Sequence, residues 1–168
     1  MKVAVRRIRA DEWRVLRELR LRSLGDAPQA FGQTYENAAA IKDEEWQQNA
    51  RQAAQGDGRT WLIASNGSVD VGLVQGRRRP PDDCLVFSMW VAPEARRTGV
   101  GRELLDAVGE WAATWGGRRI VLWVTGTNEG GHRFYDSIGF RVLADGADAE
   151  SGRTFGAIAM ERPIPTTK

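Results

Sequence analysis

The residues from Ser88 to Leu105 carry the clearest chemistry in this 168-residue chain. An apolar run, Cys84 to Val91, reads as a buried central strand that Pro93 ends. A glycine-containing turn then opens a helix whose wide apolar stripe is Leu104, Leu105, Val108, Trp111, Ala112 and Trp115. The first N–H groups of a helix have no internal partners, and with the helix dipole they make an anion site. Gly99 and Gly101 lack side chains, so a phosphate can approach the backbone closely. Arg96, Arg97 and Arg102 add positive charge. Three phosphate-binding patterns compete for this turn. A Walker A loop needs Lys and then Ser or Thr after its last glycine, where Arg102 and Glu103 stand. A dinucleotide fingerprint needs a third glycine where Leu104 stands, and belongs on an early strand–helix unit. The pattern Arg/Gln-x-x-Gly-x-Gly/Ala is matched in full by Arg96, Gly99 and Gly101. A lone Gly-x-Gly before a helix is more often a plain turn, but the preceding strand, the arginines and a second segment reverse that balance here.

The second segment runs from Asn128 to Phe140. It follows the pattern Asn-x-x-Ala-x-x-x-Tyr-x-x-x-Gly-Phe through Asn128, Tyr135, Gly139 and Phe140, with Gly131 in place of the alanine. That glycine loosens the helix start by roughly 1 kcal/mol and removes no functional group. With both motifs in this order and spacing, the chain resembles the GNAT superfamily of acyl-CoA N-acyltransferases over nearly its whole length.

The resemblance implies an N-acetyltransferase that uses acetyl-CoA and an amine-bearing acceptor, a small molecule or a peptide. Met89, Trp90 and Val91 would pair through their main chain with the pantetheine arm, although the same residues also fit an ordinary sheet core. The backbone of Arg97, Thr98, Gly99, Val100, Gly101 and Arg102 would hold the pyrophosphate, and Asn128 would contact the cofactor. Tyr135 would stand beside the thioester sulfur as the acid for the departing thiolate; the competing reading is a core tyrosine with its hydroxyl tied elsewhere. In relatives with a similar Asp26-to-Gly32 segment this region borders the acceptor, which marks Phe31 as a substrate contact. It also marks Glu36 as the base, though Glu36 reads equally well as a solvated loop-end residue. The amine does need a base: an ammonium of pKa about 10.4 costs roughly 4 kcal/mol to neutralise at neutral pH. Asp82 and Asp83 are alternatives that fit a turn equally well. Cys84 reads as a small core residue, so direct attack by the amine in a ternary complex is expected, with no acetyl-enzyme. A non-catalytic acyl-CoA sensor on the same fold is the alternative. Dimers are common in the family, so a homodimer is compatible with this reading.

The remaining side chains exclude more than they suggest. His132, the only histidine, reads as a surface residue, and with one cysteine a zinc site is not expected. The seven tryptophans read as core and interface anchors. A formal net charge of +2 is too balanced to indicate nucleic acid or membrane. Arg77, Arg78 and Arg79, followed by Pro80 and Pro81, read as a solvated loop between strands. A single cysteine makes no internal disulfide, the N-terminus shows no signal-peptide-like stretch, and no apolar run suits a membrane span, so a cytoplasmic location is expected.

The elements that must position these residues read in the order β-α-α-β-β-β-α-β-α-β-β: an α/β (α+β) single domain with a mixed central sheet flanked by helices. Strands are expected at Val3–Ile8, Trp61–Ser65, Val69–Gly76, Cys84–Val91, Ile120–Val124, Phe140–Leu143 and Thr154–Met160. Asp11 is expected to cap a helix through Leu24, and the segment from Asp26 to Gly32 to be a loop. A second helix is expected from Asp43, with Trp46, Ala50, Ala53 and Ala54 on one face and Gly56 as its C-terminal cap. Asn66 and Gly67 signal a hairpin, and Gly116 and Gly117 stop the long helix. The last helix is expected around His132 to Ile138, and the stretch from Ala144 to Gly152 is turn-rich. The expected domain is residues 1–164, with 165–168 as a tail.

Overall fold

The computed structural model describes residues 2–143 and 156–166. Seven strands form one mixed sheet in the order β1-β2-β3-β4-β5-β7-β6. They are β1 (Val3–Arg7), β2 (Arg59–Asn66), β3 (Val69–Arg79), β4 (Asp83–Val91), β5 (Arg119–Thr125), β6 (Arg141–Val142) and β7 (Ala157–Pro163). The helices are α1 (Trp13–Asp26), α2 (Tyr35–Ala39), α3 (Asp43–Gln55), α4 (Val100–Ala113) and α5 (Glu129–Ser137). The expected order is borne out with one addition, the single-turn-scale α2. The segments Ala144 to Gly152 and the first residues of the strand expected from Thr154 lie outside the described residues.

The chain divides into two compact units, Met1–Arg77 with Val86–Val108, and Arg78–Leu85 with Gly109–Lys168. In the first unit β1 and β2 pair antiparallel, as do β2 and β3. Asn66 pairs with Val69, so the hairpin closes over Gly67 and Ser68 alone. α1 buries Leu16, Leu19, Arg20, Ser23 and Leu24, an i, i+3/i+4, i+7 stripe. α3 buries Trp46, Ala50 and Ala53 and carries Asp43, Glu44 and Glu45 at its positive end. Gly56 ends α3 at φ 72°, donating its N–H to the Gln52 carbonyl.

Two sequence expectations are corrected here, and one element is added. Asp11 does not cap α1; Glu12 holds the cap position without a side-chain cap bond. Its carboxylate instead accepts from Arg6 Nη1 and Nη2 at 2.7 and 2.9 Å and from the Arg9 N–H at 2.8 Å. Arg77, Arg78 and Arg79 are the end of β3, not a loop. Ring faces cover two of them: Arg77 lies over Phe87 at 4.8 Å and Arg78 over Trp115 at 5.0 Å. The loop-like segment after α1 contains a 3-10 turn at Pro28–Ala30, and Thr34 starts α2 by accepting the Asn37 N–H at 3.1 Å. The sequence pattern misses α2 because only Ala38 in it is buried.

In the second unit the first three residues of β4, Asp83 to Leu85, pair parallel with Arg119 to Val121 of β5. β5 also pairs antiparallel with β7 along its whole length, and β6 pairs with β7. Asp83 is buried, with Arg79 Nη2 at 2.6 Å and Arg119 Nε at 2.6 Å, and Arg119 reaches Glu161 at 2.8 Å. Burial alone would raise the Asp83 carboxyl, but Arg119 and Arg79 outweigh it and hold the group low. Asp83 is therefore an ion-pair anchor at a strand start, not a solvated turn carboxylate.

One glycine sets how closely the site helix approaches the sheet. A Cβ on Gly72 of β3 would lie 2.9 Å from Leu104 Cδ1, 3.2 Å from Val100 Cγ1 and 3.3 Å from Ala64 Cβ. The start of α4 therefore rests directly on the β3 backbone. Gly72→Val should cost about 1–3 kcal/mol by overpacking and lower the melting temperature by about 2–10 °C. Calorimetry showing an unchanged melting temperature would contradict this packing.

Candidate active site

The anion-binding turn lies entirely in the first unit. Within β4, Ser88 has a left-handed φ of 55°, an uncommon conformation for a non-glycine residue. Met89 and Val91 are half-buried and Trp90 is buried. Ala92 donates its N–H to the Val71 carbonyl at 2.8 Å, which fixes the strand end. A 3-10 turn at Pro93–Ala95 follows, then Arg97 at φ 64° and Gly99 at φ 92°. A Cβ at Gly99 would meet nothing within 4 Å, so it is the backbone conformation that requires glycine there. The Glu103 N–H donates to the Gly99 carbonyl at 3.1 Å, the first helical bond of α4. The N–H groups of Val100, Gly101 and Arg102 precede it at the positive end of the helix.

The charges around this turn are divided between two tasks. Arg97 and Arg102 are exposed, and Arg102 has only Asp106 near, at 3.8 Å. Arg96, which the sequence places among the phosphate-facing cations, turns the other way. Its Nε donates to the Val91 carbonyl at 3.1 Å and its Nη2 bonds the Asp26 carboxylate. The same carboxylate accepts the Trp90 Nε1–H at 2.9 Å. Arg22 covers the Trp90 ring at 5.2 Å and pairs with Glu94. Asp26, at the C-terminal end of α1, thus fastens both the strand end and the turn. The Trp90 indole N–H, with Arg96 and Arg22, holds its carboxyl below the usual range. Sequence reasoning passed over Asp26, because neither Trp90 nor Arg96 is its neighbour in the chain.

Phe31 and Glu36 also belong to the first unit. Phe31 packs on the cluster of Leu21, Leu24 and Ala38, and the Arg20 guanidinium lies over its ring at 4.7 Å. Glu36 is exposed in the first turn of α2.

Asn128 and Tyr135 lie in the second unit. Asn128 caps α5, its Oδ1 accepting the Gly131 N–H at 2.9 Å. The departure at Gly131 now has a physical reason: a Cβ there would sit 2.6 Å from Asn128 Nδ2 and 3.1 Å from Val124 Cγ1. The missing side chain lets the asparagine fold over the helix start. Tyr135 packs edge-on against Phe140 with centroids 5.5 Å apart, and the Tyr135 carbonyl accepts the Phe140 N–H at 2.9 Å. Burial pushes its hydroxyl up to about 12. His132 is half-buried, with Nε2 3.1 Å from the Thr125 carbonyl, so it ties α5 to β5 instead of standing free on the surface. Cys84 is buried in the core. Among the described residues no group of three or more His, Cys, Asp or Glu side chains is placed to hold a metal, and no helix is long and apolar enough to cross a membrane.

A strand, a left-handed turn and a helix N-terminus in sequence make an arrangement that can receive an anionic group. The model of the acetyltransferase (GNAT) family matches residues 13–140, and the chain belongs to that family. In structure it is similar to the PaiA N-acetyltransferase of Thermoplasma acidophilum, solved in complex with coenzyme A. The two share 18% identity over 97% of this chain and 99% of that one, with a TM-score of 0.74. A GNAT-family acetyltransferase from Streptococcus pneumoniae gives 19%, 98%, 100% and 0.75 in the same measures. Nourseothricin acetyltransferase is 27% identical over 65% of this chain and 67% of its own, with a TM-score of 0.56. No curated protein sequence matches the chain significantly.

The Asp26 clamp gives a pH-dependent expectation. A carboxyl depressed in the folded state adds stability above its unfolded pKa of about 3.9, and that stability is lost as pH falls through the lower folded value. Asp26→Ala should therefore cost about 1–3 kcal/mol at pH 7. The gap to wild type should narrow as pH falls from about 5 to about 3. Denaturant titrations showing the same deficit at every pH would refute the clamp.

Proposed function

We propose that the chain is an N-acetyltransferase that moves the acetyl group of acetyl-CoA to an amine by direct attack in a ternary complex, with residues 1–164 as its domain. The feature that carries this reading is the start of α4, where the N–H groups of Val100, Gly101 and Arg102 have no intrahelical partners, beside exposed Arg97 and Arg102 and after the turn that follows β4. The backbone of Arg97 to Arg102 would take the pyrophosphate, and the main chain of Met89 to Val91 the pantetheine arm. Arg96 would act through Asp26 as the turn's fastener. Asn128 would contribute through its unused Nδ2. The buried Cys84 supports a route without an acetyl-enzyme.

Tyr135 would face the thioester sulfur. With a hydroxyl near 12 and a thiol near 8.5, full transfer of its proton to the thiolate is uphill by roughly 5 kcal/mol. The hydroxyl would therefore act mainly by hydrogen-bonding the sulfur as charge develops, with the proton held on oxygen at assay pH. Glu36 is the proposed base for the ammonium, directly or through one water; its exposure suits a group that passes a proton on to solvent.

Two measurements test this reading. Acetyl-CoA should raise the melting temperature, since it binds the folded state only, and Gly101→Glu should abolish the rise by placing bulk and negative charge in the phosphate site. A folded Gly101→Glu protein that binds as tightly as wild type would show the site to be elsewhere. With an active acceptor, Tyr135→Phe should lower kcat by about 10²-fold, the loss of one hydrogen bond to developing charge, with little change in acetyl-CoA affinity. Turnover of wild type should show no loss assignable to Tyr135 ionisation below about pH 10. An unchanged kcat where chemistry limits the rate would make Tyr135 a packing residue, and binding without any transfer would favour the sensor alternative.

A further inference from the structure

Among the described residues, Arg20 is a buried cation with no carboxylate partner. It sits on the core stripe of α1 at 7% exposure. Its Nε and Nη2 both donate to one neutral acceptor, Gln33 Oε1, at 3.2 and 3.1 Å. Its Nη1 is buried without a partner, and Phe31 covers one face of the guanidinium at 4.7 Å. Other, partly exposed arginines meet acids, Arg6 with Glu12 at 2.7 Å, Arg79 with Asp83 at 2.6 Å and Arg119 with Asp83 at 2.6 Å, while Arg77 at the end of β3 bonds Gln75. A desolvated charge without a counter-charge is costly. Burial lowers the Arg20 pKa to about 10, which still leaves it charged at neutral pH.

We infer that the Nε/Nη2 edge of Arg20 is the recognition point for a carboxylate on the amine acceptor, which takes the place now held by the Gln33 side chain. This rests on the acetyl-transfer reading above. Two guanidinium N–H groups converging on one amide oxygen form the edge that a carboxylate fills with two oxygens, in a fork that also carries charge. The Gln33 side chain, which a carboxylate would displace, is partly buried and lies with Phe31 in the segment joining α1 to α2. The same helix reaches β4 through Asp26 and Arg22, both on Trp90, so the fork and the strand proposed for pantetheine are held by one element. A guanidinium used only to tie the loop to α1 would gain nothing from a free carboxylate.

The test compares amino acids with their own carboxamides as ligands of the CoA-loaded protein by calorimetric titration, and as acceptors by thiol release from acetyl-CoA. At least one pair should favour the carboxylate in wild type by about 10-fold or more in binding and in kcat/KM, and Arg20→Gln should bring that pair to within about 2-fold. Arg20→Lys should keep part of the preference, since it keeps the charge and loses the fork. Gln33→Ala, which empties the fork and leaves Arg20 in place, should keep or strengthen it; this variant decides the matter if Arg20→Gln does not fold. No preference in any wild-type pair, a preference that survives in Arg20→Gln, or one lost in Gln33→Ala would each overturn the inference. Carboxylate-selective binding without thiol release would reject acetyl transfer while keeping the Arg20 site. Transfer to amines without carboxylate preference would do the reverse.

Discussion

The site in the first unit depends on one constraint, that the start of α4 must lie against the sheet with its first N–H groups left open. Helix N-termini ordinarily satisfy these groups with a capping side chain or water. Here the preceding residues are Thr98 and Gly99, and the Thr98 hydroxyl donates to the Ala95 carbonyl. The open end is kept in place from below. Gly72 removes the one side chain that would lift Val100 and Leu104 from β3, and the Ala92 N–H holds the strand end to Val71. A dipole end fixed in this way needs no reorganisation to receive a phosphate, which is the physical content of preorganisation.

Charge is distributed with the same division between holding and binding. Asp26, Glu12, Asp83 and Glu161 each sit against one or more arginines at short range; Asp26, Asp83 and Glu161 join elements that are remote in sequence, and Glu12 ties β1 to the start of α1. These carboxylates are partly or wholly shielded, so their bonds are worth more than those of exposed pairs. Against that background, the exposed Arg97 and Arg102 and the acid-free Arg20 stand out, because no structural bond uses their charge fully. Arg96 shows how little residue type says by itself: it belongs to the phosphate motif and spends its guanidinium on Asp26 and Val91.

The second unit shows the same economy in uncharged groups. Gly131 and Asn128 form a matched pair, since the glycine makes room for the asparagine that caps α5. Tyr135 gains its raised pKa from burial alone, with no charged neighbour contributing. A phenol in such surroundings is a durable hydrogen-bond donor and a poor proton source, a chemical character that a sequence motif cannot convey.

Much of this protein was legible in its residues. Alternating or continuous apolar runs set by backbone periodicity marked the strands, glycines marked the turns at Gly56, Gly67 and Gly116, and the spacing of Arg96, Gly99 and Gly101 marked the anion-binding turn. Local rules act over a few residues, and these features are local. What was not legible is what forms across tens of residues. The strand that continues through Arg77 to Arg79 is stabilised by ring faces from elsewhere, the helix at Tyr35 holds by one cap and one buried alanine, and Asp83 is buried only because Arg79 and Arg119 meet it. Arg20 is the clearest case. Its sequence neighbours mark it as one more arginine of a helix rich in them, and its meaning comes from being buried beneath Phe31 with a neutral amide where an acid would otherwise be. The sequence by itself determined the family and the order of elements, because hydrophobic periodicity and backbone conformation are written locally. Tertiary structure alone decided which charges are spent and which remain available, because that depends on burial and on partners brought together by folding.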